Sequence, residues 1–222
     1  MGKDQPTATV MIRLTILMCA MVVSVLLLGC QSSPDEPTQR SEAADTEQQL
    51  DVATFAGGCF WCMQPPFDEL DGVDSTVVGY TGGDMEEPTY EQVSSGQTDH
   101  VEAVEIRFDA EQISYDELLE VFWRSIDPTD DGGQFTDRGD HYRTFLFYHD
   151  DDQKQAARDS RQKLDEQGPF DDPVVTEIEP ASTFWIAEDY HQEYYRKNPE
   201  HYQQYYEGSG RAGFLRETWG DE

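Results

Sequence analysis

A run of strand-forming residues, Val52 to Phe55, leads into Gly57-Gly58-Cys59-Phe60-Trp61-Cys62, and a mixed apolar segment follows as far as Leu70. That order places the first thiol at a strand-to-helix turn, where the unpaired N–H groups of the helix favour a thiolate. Two thiols three residues apart on such a turn can close into a disulfide, and the rings of Phe60 and Trp61 between them form an apolar wall. The other two cysteines, Cys19 and Cys30, fall in an N-terminal segment of different character. Sulfur redox chemistry is the first expectation.

The N-terminal segment reads as an address. Lys3 and Arg13 precede Leu14 to Leu28, 15 uncharged and mostly apolar residues, fewer than the ~20 needed to span a bilayer. The run ends in Leu27-Leu28-Gly29-Cys30, which resembles the cleavage box of bacterial lipoproteins. Residues 1–30 are therefore expected to be a lipoprotein-type signal ending at Cys30, and residues 31–50 an acidic tether with no aromatic side chain and too little apolar area to order itself. Export follows, with a lipid anchor at Cys30 on the cell envelope, periplasmic or on the outer membrane face. Residues 51–222 have the size and the Trp, Tyr and Phe content of one domain with one core.

Formal charge is −31, from 46 acidic and 15 basic residues. Such a surface repels nucleic acid and anionic lipid, so the folded part is expected to touch a membrane only through its anchor. A calcium loop at Asp127-Pro128-Thr129-Asp130-Asp131-Gly132 lacks an acidic third ligand and has Arg138 where the final Glu belongs. The acidity reads instead as a solvated surface suited to high salt.

Val73–Tyr80 and Val101–Phe108 read as strands, the second with Val104, Ile106 and Phe108 on one face. Ser114 and Glu117 form a capping box ahead of a helix that carries Leu118, Leu119, Phe122, Trp123 and Ile126 and ends by Asp127-Pro128. Arg143–Tyr148 and Val174–Ile178 read as strands, and 151–167 as a polar helix stopped by Gly168-Pro169. Ala187–Asn198 reads as a last helix halted by Pro199. The expected fold is α/β (α+β), a two-layer sandwich of a mixed sheet covered by helices, with an irregular tail after Tyr202.

A CxxC pair admits several chemistries. Structural zinc needs four ligands, and the five histidines are not paired at finger spacing. A structural disulfide over so short a loop stabilises little. A membrane-tethered CxxC thiol–disulfide oxidoreductase remains as the alternative function, and a metal-holding binding module as a third.

Further motifs follow in order: Gly79-Tyr80-Thr81-Gly82-Gly83, Pro88-Thr89-Tyr90, His100-Val101-Glu102-Ala103-Val104, Phe122-Trp123, Asp137 with Tyr142-Arg143, Ala187-Glu188-Asp189-Tyr190-His191-Gln192 and Lys197-Asn198-Pro199. Together with Gly-Cys-Phe-Trp they closely resemble the type A methionine sulfoxide reductases over most of Asp51 to Pro199. The resemblance implies reduction of methionine S-sulfoxide, free or in proteins, to methionine. Cys59 matches the family nucleophile and Glu102 its proton donor, which requires an apolar pocket that keeps the carboxyl protonated. Read alone, a Glu in a strand-like run is a solvent-facing residue.

The resemblance also implies that Tyr90 and Tyr142 bond the sulfoxide oxygen, that Phe60 and Trp61 hold the substrate methyl group, and that Asp137 orients groups beside the site. No organic cofactor or metal is expected, only an external thioredoxin-like thiol reductant acting on a monomer. Local donors must outweigh the acidic surface, so the Cys59 thiol is expected to be activated mainly with substrate bound.

Three departures matter. Gln64 stands where many relatives carry Glu, and reads as a supporting residue. Pro65-Pro66 implies a helix kinked after Cys59 or one that begins near Pro66. The Gly-rich tail holds no cysteine, so Cys62 is the expected resolving thiol.

Overall fold

The computed structural model describes residues 49–220. The leader, the tether up to residue 48 and Cys30 lie outside the described residues. In chain order the elements are β1 (Asp51–Gly57), α1 (Phe60–Asp68), β2 (Val73–Thr81), α2 (Tyr90–Ser94), β3 (Val101–Phe108), α3 (Tyr115–Trp123), β4 (Gly133–Gln134) and β5 (Asp137–Arg138). A 3-10 turn (Asp140–Tyr142) follows, then β6 (Thr144–Tyr148), α4 (Asp151–Gln167), β7 (Glu177–Pro180), β8 (Trp185–Ile186), α5 (Tyr194–Lys197), α6 (Pro199–Gly208) and α7 (Arg211–Trp219).

Six strands form one mixed sheet in the order β7-β6-β1-β3-β2-β8, with β6 and β7 parallel and the other neighbours antiparallel. The expected α/β class and mixed sheet are present. Alternation along the strands sends Ala53, Phe55, Val104, Ile106, Phe108 and Leu146 to one face, where they pack on Met63 and Phe67 of α1, Leu118, Leu119 and Phe122 of α3, and Ala157 of α4. Phe55 sits 5.6 Å from Phe67 and 5.2 Å from Phe122 between ring centroids. Burying each such ring contributes roughly 2–3 kcal/mol.

Local signals explain the helix starts. Ser114 accepts from the Glu117 N–H while Glu117 accepts from the Ser114 N–H, and Thr89 with Gln92 makes a second box that starts α2. In the acidic 127–138 loop, Arg138 forms an ion pair with Asp130 and so occupies the carboxylate that a cation would need.

One expectation is narrowed and two are corrected. The helix after Cys59 begins at Phe60 and continues through Pro65 and Pro66, with Cys59 as its N-cap. The missing proline N–H groups leave the Trp61 and Cys62 carbonyls without that intrahelical partner.

Residues 187–198 are not one helix. Gln192 instead accepts from the Val78 N–H (2.9 Å) and donates to the Val78 carbonyl (2.8 Å), Glu193 has φ 49°, and only Tyr194–Lys197 is helical. Bonds to β2 replace bonds along the helix.

The tail after Tyr202 is helical rather than irregular, since α6 and α7 occupy it. Pro199 starts α6 instead of halting a helix, because at the first helical position its missing N–H has no partner to lose. Tyr202, Tyr205 and Tyr206 then recur at helical spacing, and Gly210 at φ 89° makes the turn into α7.

Candidate active site

β1 ends in two glycines because the chain behind it is crowded. A Cβ on Gly57 would lie 2.5 Å from the Met63 side chain, and one on Gly58, at φ 83°, would lie 2.6 Å from Gln134. Both leave room for Cys59 to cap α1, with its carbonyl accepting from the N–H groups of Cys62 (3.0 Å) and Met63 (3.2 Å). Cys59 and Cys62 are free thiols, exposed by only 5% and 2%.

At the Cys59 sulfur, burial opposes the thiolate that the helix start favours. Burial pushes the Cys59 thiol well up, and a hydrogen bond shared with the Cys62 sulfur adds to this. That bond, together with the positive charge of Arg211, holds Cys62 below the ordinary cysteine value. The first helical N–H, which was expected to serve the sulfur, is given to Glu102: the Phe60 N–H donates to Glu102 Oε2 at 3.0 Å.

Glu102 thus lies beside the nucleophile. It stands on the core-facing side of β3, opposite Tyr80 of β2, and is 2% exposed. Burial raises its carboxyl well above the usual range and the Cys59 charge adds to this, against the smaller opposing effect of the Phe60 N–H. A protonated acid next to a thiol is the result.

Tyr90, Tyr142 and Asp137 lie near enough to Cys59 and Glu102 for their charges to be felt. Tyr90 opens α2, and burial with the nearby Glu102 charge pushes its hydroxyl up to about 12. Tyr142, at the end of the 3-10 turn, is likewise raised, by burial first and then by Glu102 and Cys59. Both hydroxyls therefore keep their protons and remain donors. Asp137 in β5 is raised by burial and accepts from the Tyr205 hydroxyl, which also lies within hydrogen-bonding reach of Cys59.

Phe60 is fully buried in a second apolar cluster with Val78, Tyr80, Val93 and Ala187, against which Trp61 and Tyr90 pack. Trp61 stacks on Tyr194 at 3.7 Å. Among the described residues no group of three or more His, Cys, Asp or Glu side chains is arranged to hold a metal ion.

Residues 51–222 match the family described as "Peptide methionine sulfoxide reductase". The chain belongs to this family. Peptide methionine sulfoxide reductase MsrA of Bacillus subtilis (strain 168) is 57% identical over 173 residues, 78% of this chain and 98% of that protein. Peptide methionine sulfoxide reductase MsrA 2 of Staphylococcus aureus (strain MW2) is 54% identical over 172 residues, 78% of this chain and 97% of that one. Among solved structures, reduced Mxr1 from Saccharomyces cerevisiae superposes with a TM-score of 0.65 at 31% identity, covering 68% of this chain and 87% of the other. Methionine sulfoxide reductase A of Corynebacterium diphtheriae gives 0.62 at 32%, covering 68% and 76%.

Several residues of this reductase site escaped the sequence reading. Gln64, read only as supporting, is a buried brace: its amide donates to the Thr76 carbonyl (3.3 Å) and hydroxyl (3.1 Å) and accepts from the Glu193 N–H (2.8 Å). Glu188 accepts from the Tyr80 hydroxyl (2.8 Å) and the Tyr90 N–H (3.0 Å), which seats α2. His191, 1% exposed, accepts from the Trp61 indole N–H at 3.0 Å through Nδ1, and burial pushes it down to about 4. Tyr205 and Arg211 come from the tail. The tyrosine spacing of α6 was the signal available for the first; Arg211 carried none.

Proposed function

We propose that this reductase acts on the S epimer of methionine sulfoxide, free or within proteins, through Cys59 as nucleophile and Glu102 as acid. The observation that carries this reading is the buried Glu102, which accepts from the peptide N–H that follows Cys59 and whose carboxyl burial raises. Oxygen leaves sulfur poorly unless protonated, and Glu102, with the hydroxyls of Tyr90 and Tyr142, surrounds the place where that oxygen would sit. As the Cys59 sulfur attacks, the sulfoxide gains two electrons and becomes methionine, while Cys59 loses two and retains the oxygen as a sulfenic acid. Phe60 and Trp61 offer the apolar surface for the substrate methyl group, and Asp137 orients Tyr205.

Cys62 then attacks Cys59. An S–S bond forms, the S–O bond breaks and water leaves. A dithiol protein of thioredoxin type returns both thiols by exchange and keeps the disulfide.

The test is an epimer-resolved assay on the purified chain. Product should form only from the S epimer, only with a thiol donor beyond the first turnover, and not with Cys59→Ser. Without donor, one turnover should consume both thiols. Turnover by Cys62→Ser at the wild-type rate with a thioredoxin would remove the resolving role.

Placement rests on sequence alone. Leu14–Leu28 followed by Leu27-Leu28-Gly29-Cys30 supports export and a lipid on Cys30. A fatty-acid label should be incorporated by the full chain and not by Cys30→Ser, and an unlabelled full chain would overturn the assignment.

A further inference from the structure

Arg211 is among the largest fully buried side chains, at 1% exposure, and opens α7 directly behind the CxxC loop. Its Nη2 donates to the Gly57 carbonyl at 2.9 Å, and its Nη1 to the Ser125 carbonyl and, at 3.7 Å, to the Met63 sulfur. The guanidinium carbon lies 4.8 Å from the centre of the Phe135 ring. Gly58 is glycine partly for its sake, since a Cβ there would fall 2.9 Å from Nη2. These hydrogen-bond partners are all neutral, and Asp137 is the carboxylate that its charge reaches. A guanidinium keeps that charge at physiological pH, and a buried cation of this kind favours any negative charge nearby.

We propose that Arg211 is a positioning residue for the second half of the cycle: the tail, which lacks a cysteine, supplies a buried cation that keeps Cys62 poised as a thiolate for attack on the Cys59 sulfenic acid. This rests on the reading of Cys62 as the resolving thiol. In that step the Cys62 thiolate forms the S–S bond, and hydroxide leaves Cys59 and takes the Glu102 proton as water. The influences on Cys62 divide in sign. The bond with Cys59 favours the thiolate most and Arg211 adds to it, burial, Asp137 and Glu102 oppose it, and Tyr202 and Tyr206, both raised by burial, stay neutral.

The experiment follows one turnover of the full chain on methionine (S)-sulfoxide without reductant, measuring methionine, free thiols and sulfenic acid trapped by a 1,3-diketone. In Arg211→Met, disulfide formation at pH 7 should slow by about tenfold or more, its pH midpoint should rise by about one unit, and trapped sulfenic acid should accumulate. Arg211→Lys should restore the midpoint, which a merely structural role would not require. An unchanged rate and midpoint in Arg211→Met overturn the proposal.

If that variant does not fold, the Cys59→Ser chain decides the matter. In that background the Cys62 ionisation midpoint should rise by about one unit on adding Arg211→Gln and stay put on adding Arg211→Lys, and an unchanged midpoint with Arg211→Gln overturns the proposal. Disulfide loss in Cys62→Ser with no effect of Arg211→Met removes only the role of Arg211, whereas full turnover by Cys62→Ser removes the resolving reading as well.

Discussion

Strand β3 carries the molecule's two kinds of interior on one face. Val104, Ile106 and Phe108 enter the apolar core beneath α3, and Glu102, on the same face and as deeply buried, enters the site. Burial of the three apolar residues stabilises the fold. Burial of the carboxyl costs stability and keeps a proton in place. The contrast shows that reactivity here comes from continuing a core-facing row one step beyond the hydrophobic residues, so core and site should respond to mutation in opposite ways.

The largest separation is expected from Glu102→Gln, which keeps the acceptor for the Phe60 N–H but removes the acid. Turnover should fall by about 10²–10⁴-fold. The unfolded chain ionises Glu102 near 4.3, whereas the folded chain holds the proton well above that, so stability falls as pH rises from about 4 toward the folded value. Gln escapes that loss. The variant should therefore melt above wild type at pH 7 and lose its advantage below pH ~4, and wild-type turnover would refute the acid role.

Phe122→Ala should do the reverse. A large cavity in the α3 core should cost about 3–5 kcal/mol in a denaturant titration, while turnover per folded molecule stays within about threefold of wild type. A collapse of turnover comparable with that of Glu102→Gln would mean that the two regions are not separable.

A smaller effect concerns His191, whose Nδ1 must stay unprotonated to accept from Trp61. Its folded value of about 4 lies below the ordinary ~6.5. The stability it contributes is full above pH ~6.5 and is lost as pH falls toward 4. Melting temperature measured across that window should decline less in His191→Asn, leaving the part due to His141 and His149, which burial also lowers. An identical decline would exonerate His191. Smallest is Thr89→Ala, which removes the box that starts α2 and should cost about 1 kcal/mol. Unchanged stability would show that Glu188 alone seats Tyr90.

These two regions were also unequally readable. The core strands and α3 were legible because Val104, Ile106, Phe108 and the Ser114–Glu117 box are local signals that tertiary contacts reinforce. Within the site, Cys59 and Cys62 were evident, but Glu102 read alone looked solvent-facing, although it shares the parity of Val104 and Ile106. Residues 187–198 misled because Gln192 and Glu193 spend their hydrogen bonds on β2 and α1, which no helical periodicity records. The tail misled because its glycines outweighed the tyrosine spacing, and Arg211, charged in a Gly-rich stretch, looked like surface. Long-range partners decide these positions, and one sequence does not display them.

The two closing helices bring a practical consequence. Proteolytic trimming just beyond Asn198 would leave every Gly-Cys-Phe-Trp signature intact and the fragment outwardly complete, yet it would strip away Tyr205 with its bond to Asp137 and the guanidinium lodged behind the thiols. Truncation boundaries drawn from motifs alone would fall on the wrong side of the chemistry.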